Sequence, residues 1–312
     1  MPRVAILIPA YNAEKTIAET LNAIQFHIPD NNIIQTVYIA DDKSVDRTLA
    51  ICDMTWSHKS IKLVKLSHQI NLGERGNVNR SLAMLSKNYD WILLLHADDL
   101  IKDAWLNKMY QAIIESSQNV ASISSSYDVL HIDGRLEAGE NRNGYSVIRG
   151  NPNSVKSTLL KGTWWHISGC AINLKIFFHS GTFHEAMPQY GDMEWILRIL
   201  NMNYDIIYIP QALTVYRQHQ TSVSSNSFKK HLDIYELANL IVYYKNLFNR
   251  WDFFKFYTKL NKQLIRRNVR SLINKDVKRL QLSLKMTAYL TNLFFITRRP
   301  DIQLYVKETY LK

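Results

Sequence analysis

Four short, largely apolar segments punctuate the first hundred residues, and polar residues follow each of them. Val4–Ile8 runs into Pro9-Ala10-Tyr11-Asn12, Val37–Ala40 into Asp41-Asp42-Lys43-Ser44, and Ile92–Leu95 into His96-Ala97-Asp98-Asp99. The third segment, Ile61–Leu66, is broken by Lys62 and Lys65, reads simply as a strand, and leads to the turn Asn71-Leu72-Gly73. Continuous apolar runs of this length read as strands buried on both faces. Between them the apolar positions change period. Ile17, Leu21 and Ile24, and later Val78, Leu82 and Leu85, recur at helical spacing, with Asn12 and Ser44 placed to cap helices. Strands alternating with helices predict a three-layer α/β domain whose ligands meet the carboxyl ends of the strands.

The pattern loosens after about residue 115. Val120–Asp133 reads as a strand pair. Arg135–Asn153, broken by Gly139, Gly144, Gly150 and Pro152, reads as a long loop of the kind that forms lids. Trp164 and Trp165 form an aromatic pair. A helix with Trp195, Ile196, Ile199 and Leu200 follows, and Asp192 stands at its front, where the macrodipole favours a carboxylate. From Phe228 onward the period is helical throughout, and three or four amphipathic helices are expected.

Charge separates these parts. Phe228–Lys312 holds 18 Lys and Arg against 6 Asp and Glu, a balance of +12, which leaves −1 for the rest of a chain of net charge +11. Basicity confined to the tail disfavours a nucleic-acid-binding cleft. It suits a solvated helical cap, a subunit contact or an anionic membrane surface. No run approaches the roughly 18 apolar residues of a membrane span, and Val4–Ile8 is too short for a secretory signal. Cys52 and Cys170 have neither metal nor disulfide-framework spacing. A cytoplasmic protein, peripheral on the cytoplasmic face of a membrane, is the expectation.

The chemistry gathers at the strand ends. His96, Asp98 and Asp99 offer nitrogen and oxygen donors to one point, a plausible divalent-metal site, though two Asp before a helix also suit a plain turn. There is no Gly-x-Gly-x-x-Gly after the first run, so a dinucleotide fold is disfavoured. No phosphate-binding Gly-Lys-Ser/Thr loop is present either.

Several islands in order resemble the family 2 glycosyltransferases of the GT-A fold. They are Ile8-Pro9-Ala10-Tyr11-Asn12, Asp41-Asp42-Lys43-Ser44-Val45-Asp46-Arg47-Thr48 and Asn71-x-Gly73 with Asn79. Next come Leu95-His96-Ala97-Asp98-Asp99, Gly181-Thr182-Phe183-His184-Glu185 and Asp192 with Arg198. Tyr216-Arg217-x-His219-x-x-Ser222-x-Ser224 closes the series. Three positions depart from the family: Lys43 stands for Gly, His96 for the first acid of the Asp-x-Asp-Asp element, and Gly191 for a Glu.

The resemblance implies a GT-A domain of α/β/α layers around a mainly parallel mixed sheet over residues 1–225. The basic helical region 226–312 lies outside it. It implies an inverting glycosyltransferase of polysaccharide biosynthesis that takes a nucleotide-sugar, UDP-linked, to a glycan hydroxyl, lipid-linked in one version. Pro9, Tyr11, Asp41, Asn71, Asn79, His96 and Ala97 would bind the nucleotide. Asp98, with His219, would hold Mn²⁺ or Mg²⁺, and His96 would weaken that hold because it adds no negative charge. Asp192 would be the general base, with Glu194 as its rival. Trp164, Trp165, Glu185 and Arg217 would line the sugar or acceptor pocket. Two rivals remain. A sugar-nucleotide pyrophosphorylase would need a glycine-rich basic loop after the first strand, which is missing. A catalytically decayed protein that binds a glycan or a membrane surface would explain His96 and Gly191.

Overall fold

The computed structural model describes residues 1–28, 33–162, 164–219, 228 and 230–298. Ser222 and Ser224 of the closing island lie outside them, as does the expected boundary at 225. The strands are β1 (Val4–Ala10), β2 (Ile34–Asp41), β3 (Lys62–Ser67), β4 (Trp91–Leu94), β5 (Leu100–Ile101), β6 (Val120–Leu130), β7 (Leu136–Glu137), β8 (Ser146–Ile148), β9 (Cys170–Asn173) and β10 (Asp205–Arg217). They form one mixed sheet in the order β3-β2-β1-β4-β9-β6-β10-β5. β3, β2, β1 and β4 run parallel, β9 is antiparallel to both its neighbours, and β10 is parallel to β6. All seven residues of β1 are buried, as helices on both faces require.

The helices are α1 (Ile17–His27), α2 (Thr48–Thr55), α3 (Gly73–Leu85), α4 (Trp105–Glu115), α5 (Pro152–Lys161), α6 (Leu174–Ser180), α7 (Gly191–Asn201), α8 (Leu232–Tyr243), α9 (Arg250–Ile273) and α10 (Val277–Thr291). The pleat divides the interior. Val4, Ile6 and Ile8 of β1 join α1, α2 and α4 in one core, while Ala5 and Leu7 join α3 and α5–α10 in the other. The C-terminal helices therefore share a core with the sheet. Ile234, Ala238, Leu260, Leu264 and Leu290 belong to the same cluster as Leu7 and Leu94.

Four local expectations change. Ser44 does not cap α2, which opens at Thr48 behind Arg47; the Ser44 Oγ accepts the Asn12 N–H instead. α1 opens at Ile17 behind Thr16, because Asn12 takes a left-handed φ of +49° and accepts the Val45 N–H instead of capping. Val120–Leu130 is one strand. Its alternation is hidden by buried serines that work as polar joints: Ser122 Oγ donates to the Ala171 carbonyl (2.7 Å) and accepts from Trp165 Nε1 (3.0 Å). The expected lid is stitched down, since β7 pairs with β6 and β8 with β10.

His231 joins the C-terminal helices. It is fully buried between Arg267 Nη1, 3.0 Å from Nδ1, and Ser283 Oγ, 2.7 Å from Nε2. Burial, then the charges of Arg267 and Arg279, push its pKa down to about 4. The unfolded chain therefore takes up this proton first, and the stability His231 contributes above pH 6.5 is lost as pH falls towards 4. Melting followed by circular dichroism should show this loss across that window, and His231→Gln should flatten it.

Candidate active site

Small polar side chains lock the first two strand ends together. Asn12 N–H donates to Ser44 Oγ (2.9 Å), Ala13 N–H to Thr48 Oγ1 (2.7 Å) and Glu14 N–H to Asp46 (3.1 Å). Burial works against the Asp46 carboxylate, but hydrogen bonds from Thr48 and Glu14 hold it below its ordinary pKa. The buried Asp41 carboxylate accepts Ser44 N–H at 3.2 Å. Asp42 accepts Leu72 N–H (2.7 Å), and Asn71 Nδ2 donates to the Asp42 carbonyl (3.0 Å). Pro9 is buried beneath this lattice, while Tyr11 is 53% exposed above it. Lys43 sits at φ +65°, where a side chain is strained.

Beyond β4, His96 N–H donates to Ser168 Oγ (3.0 Å), and Thr20 Oγ1 ties down the carbonyls of Ala97 and Asp99 (3.0 Å each). Ala97 and Asp99 are buried. Asp99 accepts Arg217 N–H (2.9 Å), and burial together with the charge of Asp98 raises its pKa to about 7. His96, Asp98 and Asp99 each offer a ligand atom, all within 4.8 Å of one another. That spread suits one cation with ligand bonds of about 2.0–2.6 Å. The buried His96 Nε2 makes no hydrogen bond among the described residues. His219 Nε2 lies 3.3 Å from Asp98 Oδ2.

A row of charges joins this cluster to α7. His96 Nε2 is 3.5 Å from Glu74 Oε1, Glu74 is 2.9 Å from Arg75 Nη1, and Arg75 Nη2 is 3.4 Å from Asp192 Oδ1. Burial opposes the charge on Glu74, yet Arg75 and then His96 hold its pKa down. Arg75 is buried against the ring of Phe183. Gly191 makes this approach feasible. A Cβ there would meet the His184 carbonyl at 2.6 Å and Arg75 Nε at 3.5 Å, so no larger residue fits without movement. Glu194 faces elsewhere, paired with Arg198 at 2.9 and 2.8 Å. Glu236 of α8 reaches the chain just before α7 and accepts the N–H groups of Gln189 (3.1 Å) and Tyr190 (2.7 Å).

The other named residues scatter. Asn79 uses both ends of its amide on Phe183, at 2.8 and 3.0 Å, and also donates to Glu185 (3.1 Å), so it braces α3 against the 183–185 turn. Glu185 lines a cavity of about 600 Å³ with Leu72, Gly76 and Arg80. The Arg217 guanidinium pairs with Glu19 of α1 (2.6 Å). Trp165 is core, tilted against Trp195. Trp164 lines a cavity of about 290 Å³ with Tyr127, Tyr208 and Glu137. Tyr127 also packs on His166 (4.5 Å), whose pKa is lowered by burial. Glu74, Arg75 and Glu236 escaped the sequence reading. Adjacent opposite charges opening a helix between Gly73 and Gly76 were the signal for the first two. Glu236 had none, because it looks like any acid of an amphipathic helix.

Comparison with known proteins places these features. The sequence profile described as Glycosyl transferase family 2 matches residues 5–166. An uncharacterized glycosyltransferase of Haemophilus influenzae is 25% identical over 231 residues, covering 72% of this chain and 68% of that protein. Poly(ribitol-phosphate) beta-N-acetylglucosaminyltransferase TarS of Staphylococcus aureus is 28% identical over 124 residues, 39% of this chain but only 21% of TarS. In structure, TarS in complex with UDP-GlcNAc matches with a TM-score of 0.58 at 14% identity, over 91% of each chain. Mannosyltransferase PcManGT from Pyrobaculum calidifontis, in complex with GDP-Man and Mn²⁺, matches with 0.58 at 14% identity, over 98% of this chain and 88% of its own. These structural likenesses establish a shared GT-A fold.

The left-handed Lys43 generates a test. Lys43→Gly removes the Cβ clash and should raise the unfolding free energy by about 1 kcal/mol in urea titrations.

Proposed function

The chain belongs to glycosyl transferase family 2, and from that premise we propose an inverting transfer from a UDP-sugar to a hydroxyl of a glycan, held on a lipid carrier. The observation that carries this is the row Asp192–Arg75–Glu74–His96, which links a carboxylate on α7 to the His96, Asp98 and Asp99 cluster at the end of β4.

Asp192 is the base. It takes the proton of the acceptor hydroxyl as that oxygen bonds to the anomeric carbon, while the bond from that carbon to the diphosphate breaks and UDP leaves. Arg75 orients the carboxylate, and Glu236 holds the turn from which α7 starts. Glu194 is engaged by Arg198, which supports Asp192 over its rival. Such a base contributes about 10²–10⁴-fold in rate.

Tyr11 and Asp41 receive the uracil base and Pro9 walls the pocket. Asn71 and Asn79 act through the turns they brace. Asp98 would hold the cation with His219, and His96 would complete the set. Two imidazole nitrogens beside one carboxylate favour Mn²⁺ over Mg²⁺. When bound, the ion supplies positive charge for the departing diphosphate. Trp164 offers an aromatic face to a sugar ring. The basic region from 226 onward serves a membrane-held acceptor by meeting an anionic surface, and its α8 completes the catalytic body through Glu236.

A screen of nucleotide-sugars for slow hydrolysis tests the donor, and release of UDP from a UDP-sugar is expected. Asp192→Asn should lower transfer by about 10²–10⁴-fold while calorimetric binding of UDP with Mn²⁺ stays as in the parent. Undiminished transfer would remove Asp192 as base. Asp98→Asn should weaken Mn²⁺-dependent UDP binding at least tenfold, and unchanged binding would move the cation site elsewhere. UDP binding without turnover on any acceptor would favour the decayed reading.

A further inference from the structure

α9 has two apolar faces, and the fold uses one. Its inner face buries Phe256, Leu260 and Leu264 in the shared core. At 100° per residue, Trp251, Phe254, Ile265, Val269, Leu272 and Ile273 fall in another sector about 100° wide. They are exposed, Trp251 by 72%, Leu272 by 61% and Ile273 by 73%. The stripe has two parts along a helix of about 36 Å: Trp251 and Phe254 at one end, and Ile265, Val269, Leu272 and Ile273 at the other, with Thr258 and Lys262 between them. Val277, 62% exposed, extends it across the turn into α10.

A basic row borders the stripe. Lys255, Lys259, Lys262, Arg266 and Arg270, spaced 4, 3, 4 and 4, are all exposed; Lys259, Arg266 and Arg270 stand on one flank, while Lys255 falls at the edge of the stripe and Lys262 within it. Residues 250–298 contain 12 Lys and Arg but only Asp252 and Asp276 as acids. Both acids are engaged: Asp252 pairs with Lys156 (3.1 Å), and Asp276 accepts Arg279 N–H at the start of α10 (3.0 Å). Among the described residues 250–298, both acids thus already have partners. Two copies meeting through this stripe would bring their basic rows within a Debye length of each other. No helix among the described residues is long and apolar enough to cross a membrane. An apolar stripe with a cationic border, on a helix that does not span, has the form of an interfacial helix.

We propose that the outer face of α9 lies flat on an anionic lipid surface, with the stripe entering the interface and the Lys/Arg row on the headgroups. This rests on the membrane-held acceptor proposed above and names the face that makes the contact. The inner face of the same helix packs on the body carrying Asp192, so docking would fix the height of the active site above the lipid.

Co-sedimentation of the full chain with vesicles, without donor, tests it separately from catalysis. Phosphatidylcholine–phosphatidylglycerol vesicles should bind the chain and release it in high salt, and pure phosphatidylcholine should bind much less. Each Lys or Arg near such a surface contributes about fivefold. Lys255→Gln, Lys259→Gln and Lys262→Gln together should therefore weaken binding about 100-fold. Leu272→Ser with Ile273→Ser should weaken it as well, and both variants should keep the parent's melting curve and its donor hydrolysis in solution. Equal recovery on both vesicle types, or none on either, overturns the proposal. A dimer by light scattering that the Leu272→Ser, Ile273→Ser variant abolishes, with no vesicle binding, assigns the stripe to a second copy.

Discussion

A buried guanidinium holds the centre of this molecule together. Arg75 is almost withdrawn from water, and an isolated charge in that position would be strongly destabilising. Glu74 and Asp192 offset its charge, and the face of Phe183 covers it. Because Glu74 sits beside it on α3 and Asp192 comes from α7, neutralising Arg75 fixes the distance between two helices far apart in sequence. Gly191 belongs to the same constraint, since a side chain there would collide with the His184 carbonyl. A Glu at 191 would meet that carbonyl, and Arg75 stands beside Asp192 instead.

A different device shapes the other side. Around Asp41 the chain is held by short hydrogen bonds from Asn12, Ser44, Asp46 and Thr48 rather than by hydrophobic packing. These groups satisfy backbone donors that no strand or helix would reach. They leave Tyr11 projecting from a rigid turn. Lys43 accepts a left-handed backbone within this lattice, so local strain persists where surrounding bonds over-determine the loop.

The C-terminal helices are neither appendage nor cap. Their inner faces complete the core under β1 and β4, and Glu236 reaches from α8 to the chain entering α7. Burial raises the Glu236 pKa to about 7, against the pull of the Tyr190 and Gln189 N–H groups. A segment outside the family's motif islands therefore shapes the turn that presents Asp192.

The sequence alone determined the strand–helix alternation, the polar strand ends and the acid-rich cluster after Leu95, because burial on both faces and turn chemistry leave marks within a few residues. It put Asp192 at the front of a helix and Asp98 among clustered donors after the fourth strand, as the structure has them. It misjudged Val120–Leu130 because buried serines imitate solvent-facing ones until their partners, Ala171 and Trp165, are known. Only the tertiary structure separated Trp164 from Trp165, tied Asn79 to Phe183, and turned Glu194 towards Arg198. Those outcomes depend on which residue arrives from a distant element, and local pattern carries no record of that. The pairing of Arg75 with Asp192, 117 positions apart in the chain, is the plainest case. Each residue alone is an ordinary surface charge, and the fold makes them one pair, with Arg75 buried and Asp192 half-buried.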